Sequence, residues 1–178
     1  MDAALNLSLR TFFRNIPLFA SLSGDELGEL LRLAKPFVRE AGDTLFSEGD
    51  PADGLYVVER GEVGVVTMSN GGDPVRLAEL GNGAVIGELA LIDGATRSAT
   101  VEALAMTTGY WLSRARFDEL RGSGSRAAYK VVLQCARTLE SRRRVTELRL
   151  RALVESPDRS EQLRKRDVRQ LFGVLRKA

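Results

Sequence analysis

Three regimes of hydrophobic patterning follow one another along the chain. Residues 9–35 read as helical. Leu27, Leu30, Leu31 and Ala34 fall at i, i+3, i+4 and i+7, one apolar face at the helical period. Ser23 is a predicted N-cap with Glu26 at the capping-box position, Pro17 breaks the preceding segment, and Pro36 is expected to end the helix. From Phe37 to Ser113 short β-rich runs alternate with turns: TLFSE, LYVVE, EVGVVTM, VRLAEL, SATVEAL and TTGYWLS. Strands of this length at close spacing predict an antiparallel sandwich or barrel. Gly49, Gly54, Gly61 and Gly81 read as turn glycines. Phe117–Leu120 is a short helical piece that stops at Gly122 and Gly124.

Residues 126–155 contain neither Gly nor Pro and predict a long helix. Its apolar stripe runs through Val131, Cys135, Leu139, Val145 and Leu153 and is interrupted by Arg142, Arg143 and Arg144. Ser156-Pro157 then starts a last basic helix with Leu163, Leu171, Phe172 and Leu175 on one face. The fold class expected is α+β: an antiparallel sandwich or barrel between N-terminal helices and a long C-terminal helix. The division expected is 1–155 for the domain with its lead-in and lid helices, and 156–178 for the basic helix.

Composition narrows the chemistry. The chain has no histidine and one cysteine, Cys135. That removes Ser-His-Asp and Cys-His nucleophiles, histidine metal sites and any internal disulfide. An enzyme is therefore not expected. No run approaches the roughly 20 apolar residues of a membrane span, and the start shows no secretory signal, so the cytoplasm is the expected location. Residues 1–140 carry 14 basic and 19 acidic side chains, while residues 141–178 carry 12 and 5. A basic tail suits an anionic partner, but no nucleic-acid motif accompanies it, and DNA binding is not expected.

The segment IGELALIDGATRSATV, residues 86–101, places a helix-favouring run inside a β-rich region. Glu88 stands at the start of that run, where a carboxylate can accept from hydroxyl groups. Arg97 follows, with a planar fork suited to phosphate oxygens. An acid for a hydroxyl and an arginine for a phosphate describe a ribose-phosphate site.

GELALIDGATRSAT resembles the phosphate-binding cassette of the cyclic-nucleotide-binding domain family, which includes the catabolite activator protein and the regulatory subunits of cyclic-AMP-dependent protein kinase. The match runs through Gly87, Glu88, Leu89, Ala90 and Leu91 and resumes at Arg97, Ser98 and Ala99. LFSEGDPADGLYVVERGEVGVV (45–66) and NIPLFASLS (15–23) resemble the family's opening strands and lead-in helix. The resemblance covers about residues 12–155 and implies a jelly-roll-like antiparallel β-roll of about eight strands. It implies that Glu88 accepts from the ribose 2′-OH and that Arg97 pairs with the equatorial phosphate oxygen. It further implies that the N–H groups of Ala90 and Ser98 complete the anion cradle, with Gly87 allowing close approach. Val65 and Leu77 would sandwich the base, and the long helix would close as a lid through Leu139, Arg142 or Arg143.

Cyclic AMP is the expected ligand, with cyclic GMP a competitor. The residue after the cassette arginine influences the base in this family, and Ser98 also occurs at that place in the catabolite activator protein. Relatives dimerise through the long helix, so a homodimer through residues 128–153 is expected. A protein partner of unknown identity is expected to receive the signal. Only 21 residues follow Pro157, so a stand-alone binding domain is expected. The alternative reading is a degenerate fold serving as a dimerisation scaffold.

Overall fold

The computed structural model describes residues 3–69 and 72–155. The expected helix from Ser156-Pro157 onward lies outside the described residues. Helices α1 (Ala3–Arg14) and α2 (Gly24–Leu31) lead into eight strands. These are β1 (Ala34–Arg39), β2 (Thr44–Phe46), β3 (Gly54–Arg60), β4 (Val63–Met68), β5 (Pro74–Leu80), β6 (Val85–Ile86), β7 (Thr100–Ala103) and β8 (Thr107–Ser113). A single 3-10 turn, Glu88–Leu91, interrupts them between β6 and β7, and α3 (Arg114–Gly122) and α4 (Arg126–Glu155) close the described chain. The strands form two four-stranded antiparallel sheets, ordered β1-β8-β3-β6 and β2-β7-β4-β5. The architecture is α+β, with the eight-stranded antiparallel β-roll that the family resemblance implies.

Two details differ from the sequence reading. The helical reading of residues 9–35 overruns at its end: α2 stops at Leu31, and Ala34 is not on its apolar face but opens β1, with Pro36 opposite Tyr110. A residue before proline favours extended backbone. Lys35 is therefore drawn into a strand, and β1 is an edge strand where a missing N–H costs no ladder bond. Gly54 is not in a turn but starts β3, where a Cβ would run into Leu112 O and lie 2.7 Å from Trp111 Nε1. Its missing side chain lets β3 approach β8. The capping box is present as expected: Ser23 N donates to Glu26 Oε2 at 2.7 Å, and Glu26 N to Ser23 Oγ at 3.3 Å.

Two cores divide the work. Between the sheets lie Phe37, Tyr56, Val58, Val63, Val65 and Val101. A second core seats the helices on the roll: Phe13, Phe19, Leu27 and Leu30 meet Leu55, Val57 and Leu112, and α4 adds Ala127, Ala128, Val131 and Cys135. The first three turns of α4 are thus anchored on the roll. Farther along, Glu140, Arg143, Arg144, Glu147 and Arg151 pair with one another along the exposed helix.

Candidate functional site

The 3-10 turn and the segment that follows it line a cavity of about 230 Å³. Gly87, Glu88, Leu89, Ala90, Arg97, Ser98 and Ala99 all face it, as do Val65 from β4 and Arg142 from α4. The local chain explains how. Gly87 has φ 72°, and a Cβ there would run into Arg97 Nη1. A residue with a side chain would meet both left-handed strain and the arginine. The turn at Glu48-Gly49-Asp50 clamps the arginine's backbone, with Arg97 N donating to Asp50 O at 2.8 Å and Gly49 N to Arg97 O at 2.9 Å.

Arg97 is buried, at 5% exposure. Its Nη2 donates to Asp53 Oδ1 at 2.7 Å, and its Cζ lies 4.0 Å from the centre of the Phe46 ring and 5.9 Å from that of Tyr56. Its Nε and Nη1 are fully buried with no hydrogen-bond partner among the described residues. Unpaired buried donors on a cation are costly, and an anion in the cavity is the group that would satisfy them. Burial, and then the charge of Asp53, raises the Tyr56 hydroxyl above its ordinary pKa of 10.0. It therefore bounds the guanidinium as a neutral ring.

Glu88 is also buried, at 7% exposure, and its Oε1 lies 2.6 Å from Arg142 Nη1. The contact is an ion pair rather than an aligned hydrogen bond, since Oε1 counts no hydrogen-bond partner. On the far side of this pair is a second hollow of about 140 Å³, between Ile16, Pro17 and Leu18 and the α4 residues Cys135 and Thr138. Burial, followed by the nearby Glu88 charge, pushes the Cys135 thiol up to about 12.

Other expected site residues lie elsewhere. Leu77 packs, partly buried, against the inter-sheet core, and Leu139 is half-buried on α4; neither lines the cavity. Arg143 is tied to Glu140 at 3.0 Å and to Glu147 at 3.2 Å on its own helix. The N–H of Ala90 is directed at Gly87 O at 3.1 Å within the turn. Among the residues not foreseen are Phe46 and Leu80, which line the cavity, and Asp53, which pairs with Arg97. Asp53 carried a faint signal, an acid just before a strand that could neutralise a buried arginine. Phe46 carried none, because a three-residue strand is too short for alternation to tell in from out.

Residues 37–123 match the model of the cyclic nucleotide-binding domain. Glutaminase 1 of Bradyrhizobium diazoefficiens is 36% identical over 126 residues, covering 71% of this chain and 20% of the glutaminase. The crystal structure of the N-terminal domain of a transcriptional regulator from Streptomyces coelicolor superposes with a TM-score of 0.67 at 33% identity, covering 76% of this chain and 94% of that one. The regulatory domain of Toxoplasma gondii cyclic-AMP-dependent protein kinase, solved with cyclic AMP, gives a TM-score of 0.62 at 29% identity, covering 67% of this chain and 45% of that one. The chain spans between a fifth and a third of the length of the first curated relatives it matches.

Proposed function

The chain belongs to the cyclic nucleotide-binding domain family, and on that premise we propose that it is a receptor module for cyclic AMP that passes its occupancy through its C-terminal helices to a protein partner. The observation that carries this reading is the buried Arg97, which lines the cavity with Glu88 and whose Nε and Nη1 have no hydrogen-bond partner among the described residues. A cyclic phosphate satisfies those two donors, in the charge-assisted, bidentate manner an arginine favours. Glu88, oriented by Arg142, accepts from the ribose 2′-OH. Val65, Leu80 and Ala99 offer the base an apolar wall. Ser98 lines the cavity; a serine at this place in the catabolite activator protein favours cyclic AMP, while its hydroxyl, able to bind guanine, makes cyclic GMP the competitor.

Occupancy is felt at α4 because Arg142 belongs to both. Ligand and helix share the Glu88 carboxylate, so their free energies are linked, and a ligand that favours one setting of α4 shifts the population toward it. The role is that of a binding module rather than a catalyst. A helix long and apolar enough to cross a membrane does not occur among the described residues. Nor does a cluster of side chains able to hold a metal ion.

The test is calorimetric titration of nucleotide-stripped protein with cyclic AMP and cyclic GMP, beside Arg97→Ala. Micromolar or tighter binding of cyclic AMP, lost in the variant, is expected. No heat from either nucleotide, with the fold intact, would leave the domain a scaffold. Tenfold tighter cyclic GMP, roughly 1.4 kcal/mol, would reverse the ligand order.

A further inference from the structure

Arg97 carries a phosphate only if its unpaired donors stay turned to the cavity, and the backbone alone does not ensure this. Asp50 and Gly49 hold the main chain of residue 97. Asp53 holds one terminal nitrogen, but its own side chain is 58% exposed. Another group lies against the guanidinium: Phe46, with Arg97 Cζ 4.0 Å over its ring centre. Phe46 also packs on Tyr56, centroids 5.7 Å apart, and Tyr56 on Phe37 at 5.4 Å. The ring over the arginine is therefore backed by a row of aromatics that spans both sheets.

We propose that Phe46 is the positioning residue of the phosphate site, stacking on Arg97 so that Nε and Nη1 lie in the ring-parallel plane and face the cavity. A ring does this in a way an aliphatic side chain of similar bulk does not. Its quadrupole attracts a cation over its face while leaving the in-plane donors free, and its area removes that face from water. The pre-set fork then binds an anion without first giving up rotamer freedom. This inference rests on Arg97 being the phosphate anchor.

Two measurements test it, one of them without ligand. In ¹⁵N spectra of the ligand-free protein, the Arg97 Nε–H signal, assigned through its loss in Arg97→Lys, is expected to be shifted by the ring current and slow to exchange. Phe46→Leu should move it to the position and exchange rate of an exposed arginine, and Phe46→Tyr should leave it in place. The second measurement is the affinity ratio of the two diastereomeric phosphorothioates of cyclic AMP, in which sulfur replaces one or the other exocyclic oxygen. Phe46→Leu should shrink that ratio by about tenfold, the scale of a desolvated cation–π contact, and Phe46→Tyr should preserve it. An Arg97 signal and a ratio both unchanged in Phe46→Leu would overturn the proposal. If the wild type binds neither diastereomer, the nucleotide reading fails, while the ligand-free spectra still decide whether Phe46 positions Arg97.

Discussion

Arg142 Nη1 lies 2.6 Å from Glu88 Oε1, and through that contact the long C-terminal helix touches the acid of the cassette. Glu88 belongs to a 3-10 turn in the roll, Arg142 to the fifth turn of α4, and both line the main cavity and the smaller hollow beside it. The carboxylate side chain is 10% exposed and the arginine 26%, so the pair is screened less than the surface ion pairs farther along α4. A shift of α4 would therefore alter a contact of Glu88.

Arg142→Gln should weaken cyclic AMP by about tenfold, roughly 1.4 kcal/mol. The penalty should be smaller for 2′-deoxy cyclic AMP, which makes no demand on Glu88. Calorimetry with both ligands checks this. Equal penalties would mean that Arg142 acts on something other than the carboxylate.

Gly87→Ala should cost about 1–2 kcal/mol of stability for the left-handed backbone. It should reduce affinity by more than that, because the added methyl occupies the space of Arg97 Nη1. Thermal unfolding and nucleotide titration on the same sample separate the two effects. A loss of stability with affinity intact would show that Arg97 retreats without consequence.

Cys135 should be inert to thiol reagents at pH 8 in the folded protein, because burial raises its pKa to about 12. Its neutral form is favoured by folding, so the stability it contributes is full below its ordinary pKa of 9.0 and falls as the pH rises toward 12. Disulfide-exchange kinetics with and without urea make the measurement. Fast labelling of the native protein would show that α4 lifts from the roll readily.

Glu26 joins α2 to α4, its Oε2 accepting from Lys130 Nζ at 2.7 Å. That hydrogen bond, and then the one from Ser23 N, hold its carboxyl below the ordinary 4.5. The stability it contributes is present above pH 4.5 and is lost as the pH falls through the lowered value. Melting curves of wild type and Lys130→Met should therefore differ near neutral pH and converge in acid. A gap that persists in acid would assign the effect to packing of the lysine stem.

Tyr129 and Leu133 lie one turn apart on α4 with 68% and 37% of their surface exposed, on the side away from the buried Val131 and Cys135. We expect this face to form the seam of a homodimer. Light scattering at tens of micromolar should give a dimer mass, reduced to a monomer by Leu133→Glu. A monomeric wild type would end the idea.

By itself the sequence determined six of the eight strand runs, the capped α2, and the cassette from Gly87 to Ala99, because these are local matters. Period-2 alternation, a capping box and a contiguous motif are written within a few residues of one another. Tertiary structure decided what spans long stretches of chain. Ala34 and Pro36 became an edge strand because β8 was there to pair with them. Phe46 and Asp53, more than 40 residues from Arg97, became its stacking and charge partners because the EGD turn folds against the cassette. Leu139, Arg142 and Arg143 were equivalent candidates in the sequence. Successive helical residues differ by about 100° in direction, and the packing of Ala127, Ala128, Val131 and Cys135 on the roll sets the rotation of α4. That rotation turned Arg142 toward Glu88 and left Arg143 to the acids of its own helix.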